Sequence, residues 1–209
     1  MQNYNDKQAP QQDRRVDNDL SNRYFMSHLR KIIFISLLIA QGVVLGLIEN
    51  MIPYPFAFAP GAKLGLANLI TIIALFTMSK KDSFLLVCLR LILTTLLGGT
   101  LSTFLYSMSG AMLSYFGMLL VKKIGPKYVS IIGISATGGF MHNVGQLLTA
   151  SFIAQTWSVL LYLPILSFLG ILSGIAIGIA ANYLLRRVDT LRRFQNEHEQ
   201  QTQEKWSMY

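Results

Sequence analysis

The chain has 209 residues, of which 52% are hydrophobic and 13% are charged, and its formal net charge is +8. This composition excludes an ordinary soluble domain, and the length leaves room for one membrane domain without a separate soluble catalytic domain. The basic excess could indicate nucleic-acid binding, but the Lys and Arg residues lie beside apolar stretches, where membrane topology and anionic lipid account for them.

The apolar runs predict three regions. Residues 1–30 are predicted to be a disordered, basic and polar cytoplasmic tail, because the first 22 residues are rich in Gln, Asn and Asp. Residues 31–186 are predicted to form a six-helix transmembrane domain, and residues 187–209 a cytoplasmic C-terminal tail in which a helix leaves the bilayer and frays. No cleavage site of the A-x-A type follows the first run, so it is predicted to be retained. The six runs are 32–50, 64–79, 83–97, 101–121, 128–152 and 158–185.

The basic residues fall in alternate gaps between these runs. The positive-inside rule therefore places both termini, and the gaps that hold Lys80 and Lys122, in the cytoplasm. Of the 18 basic residues, Lys63 at the start of the second span and Arg90 inside the third lie outside these clusters. The sequence predicts an all-α, multi-pass protein of a bacterial cytoplasmic (inner) membrane.

The second and third runs are short. A run of roughly 16 residues covers about 24 Å of a hydrocarbon core near 30 Å thick, so both spans are predicted to lie inside the bundle. Pro53, Pro55, Pro60-Gly61 and Gly98-Gly99 interrupt the outward-facing gaps. Irregular backbone at membrane depth is tolerated where it lines a cavity, so the predicted cavity opens outward.

Small residues recur four apart in the first and last spans. They are Gly42 and Gly46, and then Gly170, Gly174 and Gly178. Such stripes allow close approach of helix backbones in lipid. They predict either packing within the chain or docking of a partner membrane subunit.

Few ionisable or amide side chains lie in the spans, where a charge at mid-bilayer costs roughly 2.5 to 3.5 kcal/mol. Arg90 lies roughly 12 Å into its span, which predicts a side chain that faces a cavity, or one that forms a buried ion pair or bonds to helix carbonyls. His142 and Gln146 share a helix face, and Asn143 lies about 100° to one side, so the three could line one polar surface. The predicted substrate-binding residues are Glu49, Lys63, Asn68, Arg90, Tyr106, His142, Asn143 and Gln146.

Structural alternatives stay open for several of these residues. Glu49 could be solvated at the membrane interface or paired with Lys63 or Arg90. Lys63 could extend to the lipid head groups. His142 could be a satisfied histidine of the bundle, and Tyr106 could belong to an interfacial aromatic belt.

Several motifs are missing. The chain has no phosphate-binding G-x-x-x-x-G-K-[ST] loop and no H-E-x-x-H motif, and its one cysteine, Cys88, can form neither an intramolecular disulfide nor a metal cluster alone. It also has no aspartate-rich D-D-x-x-D segment. We therefore expect no enzyme activity, no cofactor and no metal site. The cationic inventory of the spans favours a small anionic or strongly polar ligand.

Five segments together resemble a known family. This set of motifs resembles the small bacterial membrane family known both as Gx transporter proteins and as heptaprenyl diphosphate synthase component I. The segments are Leu47-Ile48-Glu49-Asn50; Pro60-Gly61-Ala62-Lys63-Leu64-Gly65-Leu66-Ala67-Asn68; Arg90 with Gly98-Gly99; Ser107-x-x-Gly110-Ala111; and His142-Asn143-x-Gly145-Gln146.

The resemblance implies similarity to the six-helix S components of energy-coupling-factor transporters. Those proteins capture a vitamin or related micronutrient and dock on a membrane coupling subunit driven by two cytoplasmic ATPases. S components often dock through an A-x-x-x-A stripe on the first helix, where this chain has Ser36-x-x-x-Ala40 and Gly42-x-x-x-Gly46.

The second family name implies different partners. A prenyl synthase needs aspartates that hold magnesium against pyrophosphate, and the chain lacks that motif. This name therefore implies a non-catalytic membrane partner of a soluble prenyl diphosphate synthase subunit in menaquinone side-chain synthesis, or an accessory protein of membrane quinone or flavin redox metabolism. Our preferred hypothesis is an S-component-like protein that binds and takes up a small polar or anionic micronutrient or precursor.

Overall fold

The computed structural model describes residues 9–51 and 65–206, and this part of the chain is all helical. By its internal contacts the chain divides into two units, Met1–Leu37 and Leu38–Tyr209. A 3₁₀ helix over Trp157–Tyr162 leads into α6. The α-helices are α1 (Ala9–Met51), α2 (Asn68–Thr77), α3 (Lys80–Gly98), α4 (Leu101–Lys122), α5 (Ile131–Ile153), α6 (Leu163–Arg187) and α7 (Asp189–Thr202).

Each apolar run of the sequence corresponds to one of the helices α1 to α6. Short polar side chains start three of them: Ser79, Thr100 and Ser130 each accept a hydrogen bond from a backbone N–H in the first turn of α3, α4 and α5. In the described ranges, three helices are long and apolar enough to cross a membrane, namely His28–Met51 within α1, Leu101–Lys122, and Trp157–Arg187. These helices indicate a membrane protein, and the count of six spans stays a prediction.

Helix α2 lies inside the bundle, as its shortness predicts. Nine of its ten residues are buried. Helix α3 is only partly enclosed: it buries one stripe, which includes Leu86 and Arg90, and exposes apolar residues such as Leu96 and Leu97 on its other side. The prediction that both short spans are internal is therefore right for α2 and only half right for α3.

Residues 9–30 and 189–202 are more helical than predicted. Helix α1 begins at Ala9, inside the segment predicted to be a disordered tail, and a helix can extend from an existing one without a new nucleation step. The residues after Arg187 form helix α7, which packs on α2 and α6 instead of fraying. Trp206, which is 2% exposed, lies 5.2 Å from Phe76 of α2, measured between ring centroids. An apolar anchor beyond the helix thus holds α7 in place.

The stripes of small residues are helix contacts within this chain. A Cβ added at Gly174 would lie 2.6 Å from the Ser135 backbone oxygen of α5, and one at Gly178 would lie 2.7 Å from Ile132 Cα. On α1, a Cβ at Gly46 would lie 2.9 Å from Thr94 Cγ2 of α3. These approaches are possible only without side chains, so the structure supports packing within the chain at both stripes.

Candidate functional site

Polar side chains from five helices meet at one buried cavity in the unit Leu38–Tyr209. Glu49 comes from α1, Asn68 from α2, Arg90 from α3, Ser107 from α4 and His142 from α5. All five residues are buried. The volume of this central cavity is about 30 Å³, which is room for one or two water molecules.

Glu49 ties the end of α1 to the turn before α2. Its Oε1 accepts a hydrogen bond from the backbone N–H of Gly65 and a second, of 3.1 Å, from that of Leu66. Gly65 has φ of +83°, a conformation that glycine adopts readily and other residues adopt with strain. The turn therefore presents two backbone donors to one carboxylate, and the glycine is required for its shape.

Arg90 is 5% exposed and lies against α1. A Cβ added at Gly42 would lie 2.5 Å from its Cδ, so the absent side chain of Gly42 makes room for the guanidinium stem. Glu49 is near enough to act electrostatically on Arg90. The Nε of Arg90 has no hydrogen-bond partner within the described ranges. A buried guanidinium donor in this state is available to an incoming acceptor.

Asn68 adds a second available donor. Its backbone N–H donates to the Gly65 oxygen at 2.8 Å, which fixes the residue at the start of α2. Its side-chain Nδ2 is buried and has no hydrogen-bond partner among residues 9–51 and 65–206. Asn68 and Arg90 thus bring amide and guanidinium N–H groups to the same cavity.

His142 lies between the glycines of two neighbouring elements. A Cβ at Gly110 would lie 2.9 Å from its Nδ1, and a Cβ at Gly65 would lie 3.5 Å from its Cδ2. Its Nε2 is 3.0 Å from Nε2 of Gln146, which can only donate. In the tautomer that carries its ring proton on Nδ1, His142 Nε2 accepts this hydrogen bond.

The other predicted site residues lie away from this cavity or outside the described ranges. Asn143 points to α6, where its Nδ2 donates to the Leu166 backbone oxygen at 2.5 Å. His142, Asn143 and Gln146 therefore do not form one surface, because Asn143 serves the α5–α6 contact. Tyr106 is partly exposed on α4 and, like Gln146, is not part of the cavity lining. Lys63 lies outside the described residues.

Small hydroxyl side chains that the sequence reasoning passed over as ligands complete the lining. Thr94 and Thr95 of α3 and Thr103 of α4 border the cavity. Thr94 follows Arg90 by four residues, so helical spacing alone puts both on one face. The four-residue spacing from Arg90 could therefore have indicated Thr94 as a lining residue, provided that Arg90 itself was placed at the cavity.

One family covers all of these elements. The family described as heptaprenyl diphosphate synthase component I matches residues 38–184, which include every residue of the central cavity. The chain belongs to this family. Comparison with curated proteins and with solved structures yields no match.

The described part of this component I protein holds no group of three or more His, Cys, Asp or Glu side chains that could bind a metal ion. A prenyl transfer centre needs such carboxylates for magnesium and diphosphate. The polar groups of the central cavity are instead one carboxylate, one guanidinium, an imidazole, amides and hydroxyls, an arrangement that can bind a small polar or anionic group.

Proposed function

We propose that this component I protein is an S-component-like binding and uptake protein for a small polar or anionic micronutrient or precursor. It would lie in the cytoplasmic membrane of a bacterium as six spans with both termini inside. The observation that carries the proposal is the buried Nε of Arg90, which has no hydrogen-bond partner in the described part of the chain and lies at a polar cavity.

The energetics favour a ligand over a purely structural role. A buried donor without a partner is unfavourable by about 1 to 3 kcal/mol, more when the group is charged. Glu49 offsets the charge of Arg90, yet it already accepts bonds from the Gly65 and Leu66 N–H groups. A carboxylate or phosphate of a ligand would satisfy the guanidinium of Arg90 and the amide of Asn68 together.

The volume of the cavity implies movement. Small-molecule sites are typically about 300 to 1,000 Å³, whereas this cavity is about 30 Å³. A micronutrient would therefore enter only after helices separate around it. That separation would take place at the Gly42 and Gly46 contacts of α1 with α3, because they are contacts of glycine with side chains rather than with backbone.

The test is mass spectrometry of small molecules retained by the full-length protein purified in mild detergent. Arg90→Ala and Asn68→Ala should each lose a small anionic molecule that the wild type retains. Asn68→Ala is the more telling variant, because its Nδ2 makes no hydrogen bond to any described residue whose loss could unfold the protein. Arg187→Ala, which removes an exposed charge, is the control. Equal retention by wild type and both site variants would contradict the proposal.

A second candidate function is favoured by the family description itself. The chain would be a non-catalytic membrane partner of a soluble prenyl diphosphate synthase subunit. Affinity purification separates the two proposals. Recovery of a membrane coupling subunit with two ATPases supports uptake, and recovery of a soluble prenyl diphosphate synthase subunit supports the second candidate.

A further inference from the structure

A second cavity, which we call the α6–α7 cavity, lies where α6 ends and α7 begins. Its volume is about 340 Å³, roughly ten times that of the central cavity and within the size range of small-ligand sites. Its polar lining consists of two guanidinium groups and three amides, from Asn182, Arg186, Arg192, Gln195 and Asn196. No carboxylate side chain of the described residues lines it.

The lining is positioned by helical spacing and by buried anchors. Asn182 and Arg186 are four apart on α6, and Arg186 Nε donates to Asn182 Oδ1 at 3.2 Å. On α7, Arg192 and Asn196 are likewise four apart. Gln195 is 3% exposed and donates through Nε2 to Glu199 Oε1 at 3.0 Å, which fixes this turn of α7.

Trp206, which lies beyond the C-terminal end of α7, also lines the cavity. It is buried, and its backbone N–H donates to the same Glu199 Oε1 at 3.0 Å. The cavity is thus a concavity with buried residues such as Gln195 and Trp206 in its wall, while Arg186 and Arg192 are exposed at it. A cluster of basic residues that served only membrane topology would need charge alone, without nearby amides.

Neighbouring arginines provide the contrast. Arg187 directs its guanidinium over the Tyr183 ring, with Cζ 5.9 Å from the centroid, and Arg193 does not line the cavity. Of these four arginines at the α6–α7 junction, Arg186 and Arg192 converge on one space. Paired guanidinium groups with nearby amides are the donor set that proteins use for phosphate oxygens.

We infer that the α6–α7 cavity binds a phosphate group, supplied either by the head group of an anionic lipid or by a free phosphate or diphosphate. Helix α6 ends a candidate membrane span at Arg187, so the cavity lies at the end of an apolar segment, where lipid head groups are found. This inference does not depend on uptake through the central cavity.

The experiment compares two double variants of the full-length protein in mild detergent and in lipid nanodiscs. Arg186→Ala with Arg192→Ala removes the cavity charges, and Arg187→Ala with Arg193→Ala removes the same number of charges from the same helices. Both pairs take away equal topogenic charge, so a difference between them reports on the cavity. Calorimetry with sodium pyrophosphate is the first readout, and native mass spectrometry of protein from phosphatidylglycerol or phosphatidylcholine nanodiscs is the second.

The cavity pair should bind the phosphate probe at least about tenfold more weakly than the wild type, because the two lost charged contacts together contribute more than about 1.4 kcal/mol. The control pair should bind like the wild type. If the wild type binds pyrophosphate and the cavity pair does not, the ligand is a free phosphate or diphosphate. If the cavity pair alone fails to retain phosphatidylglycerol, the ligand is a lipid head group. Equal loss in both pairs, or no binding of either probe by the wild type, overturns the inference.

A second comparison leaves the arginines in place. Asn196→Asp puts a carboxylate at the cavity without a change of size, and Gln200→Glu adds the same charge to α7 away from the lining. Both residues are exposed, so neither change disturbs packing. Phosphate binding should weaken with Asn196→Asp alone, and equal effects of the two changes would show that only the overall charge of α7 matters.

Discussion

Replacement of Glu49 by alanine should destabilise the bundle more than any other single loss of charge in the described helices. The change removes the acceptor of two backbone hydrogen bonds, from Gly65 and Leu66. It also leaves Arg90, which is 5% exposed, without the carboxylate that acts on it electrostatically. The link between the end of α1 and the start of α2 would be lost together with the charge balance of the central cavity.

The magnitude follows from those contacts. Hydrogen bonds to a charged group contribute about 1.5 to 3 kcal/mol each, and removal of one partner of a buried pair of charges costs about 3 to 5 kcal/mol. Since the two effects overlap, we expect a loss of about 4 kcal/mol. Glu49→Gln keeps an oxygen acceptor and loses only the charge, so the loss should be about 2 kcal/mol.

Thermal unfolding of the detergent-solubilised protein measures both changes. At about 2 to 4 °C per kcal/mol, Glu49→Ala should lower the melting temperature by about 8 to 16 °C and Glu49→Gln by about half of that. Glu197→Ala, which removes an exposed carboxylate on α7, should have little effect. In a double-mutant cycle, Arg90→Met should be less harmful in the Glu49→Ala background than in the wild type. A melting temperature for Glu49→Ala equal to that of Glu197→Ala would refute the reasoning.

Two further predictions concern helix packing and pH. A Cβ at Gly139 would lie 2.0 Å from the Gly170 backbone oxygen, so Gly139→Ala must push α5 and α6 apart. We expect a loss of at least about 3 kcal/mol in stability, which corresponds to a melting temperature lower by roughly 6 °C or more. Gly133→Ala is the control and should change the melting temperature little, because the nearest atom to a Cβ at Gly133 is 3.3 Å away. The pKa of His198 lies below its ordinary value of 6.5 because burial disfavours the charged imidazole, with a further contribution from Lys122. The undocked state of α7 then binds more protons, so its docking should be complete above about pH 6.5 and weaken as the pH falls below that value, seen as faster amide exchange in α7. His198→Gln should remove this contribution, and an unchanged pH dependence in that variant would contradict it.

The helices of the bundle could be predicted from the sequence because an apolar run marks them directly. The segment Asp189–Thr202 could not be predicted in this way, since α7 is polar overall and is held by residues such as Trp206 that lie beyond it. The sequence also predicted too much burial for α3, whose side with Leu96 and Leu97 is exposed. The shortness of an apolar run does not say how many helices surround it.

The structure brings several of the predicted site residues to one cavity, and their role in ligand binding stays a prediction. Glu49, Arg90 and His142 do meet at one cavity, as their rarity in apolar spans indicated. The direction of Asn143 depends on the position of α6, which the spacing within α5 cannot supply. The α6–α7 cavity was missed because its arginines were explained by membrane topology.

The brevity of α2 has a consequence for biogenesis. Its ten residues extend about 15 Å, half the thickness of the hydrocarbon core, and helices α3 to α7, which all contact it, follow it in the chain. A nascent chain that has emerged only as far as Thr77 therefore holds a segment that is too short to be released into lipid by itself. Helix α2 can therefore reach its final position only after later helices have been made. The bundle has to assemble after insertion, because its helices cannot each integrate into the membrane independently.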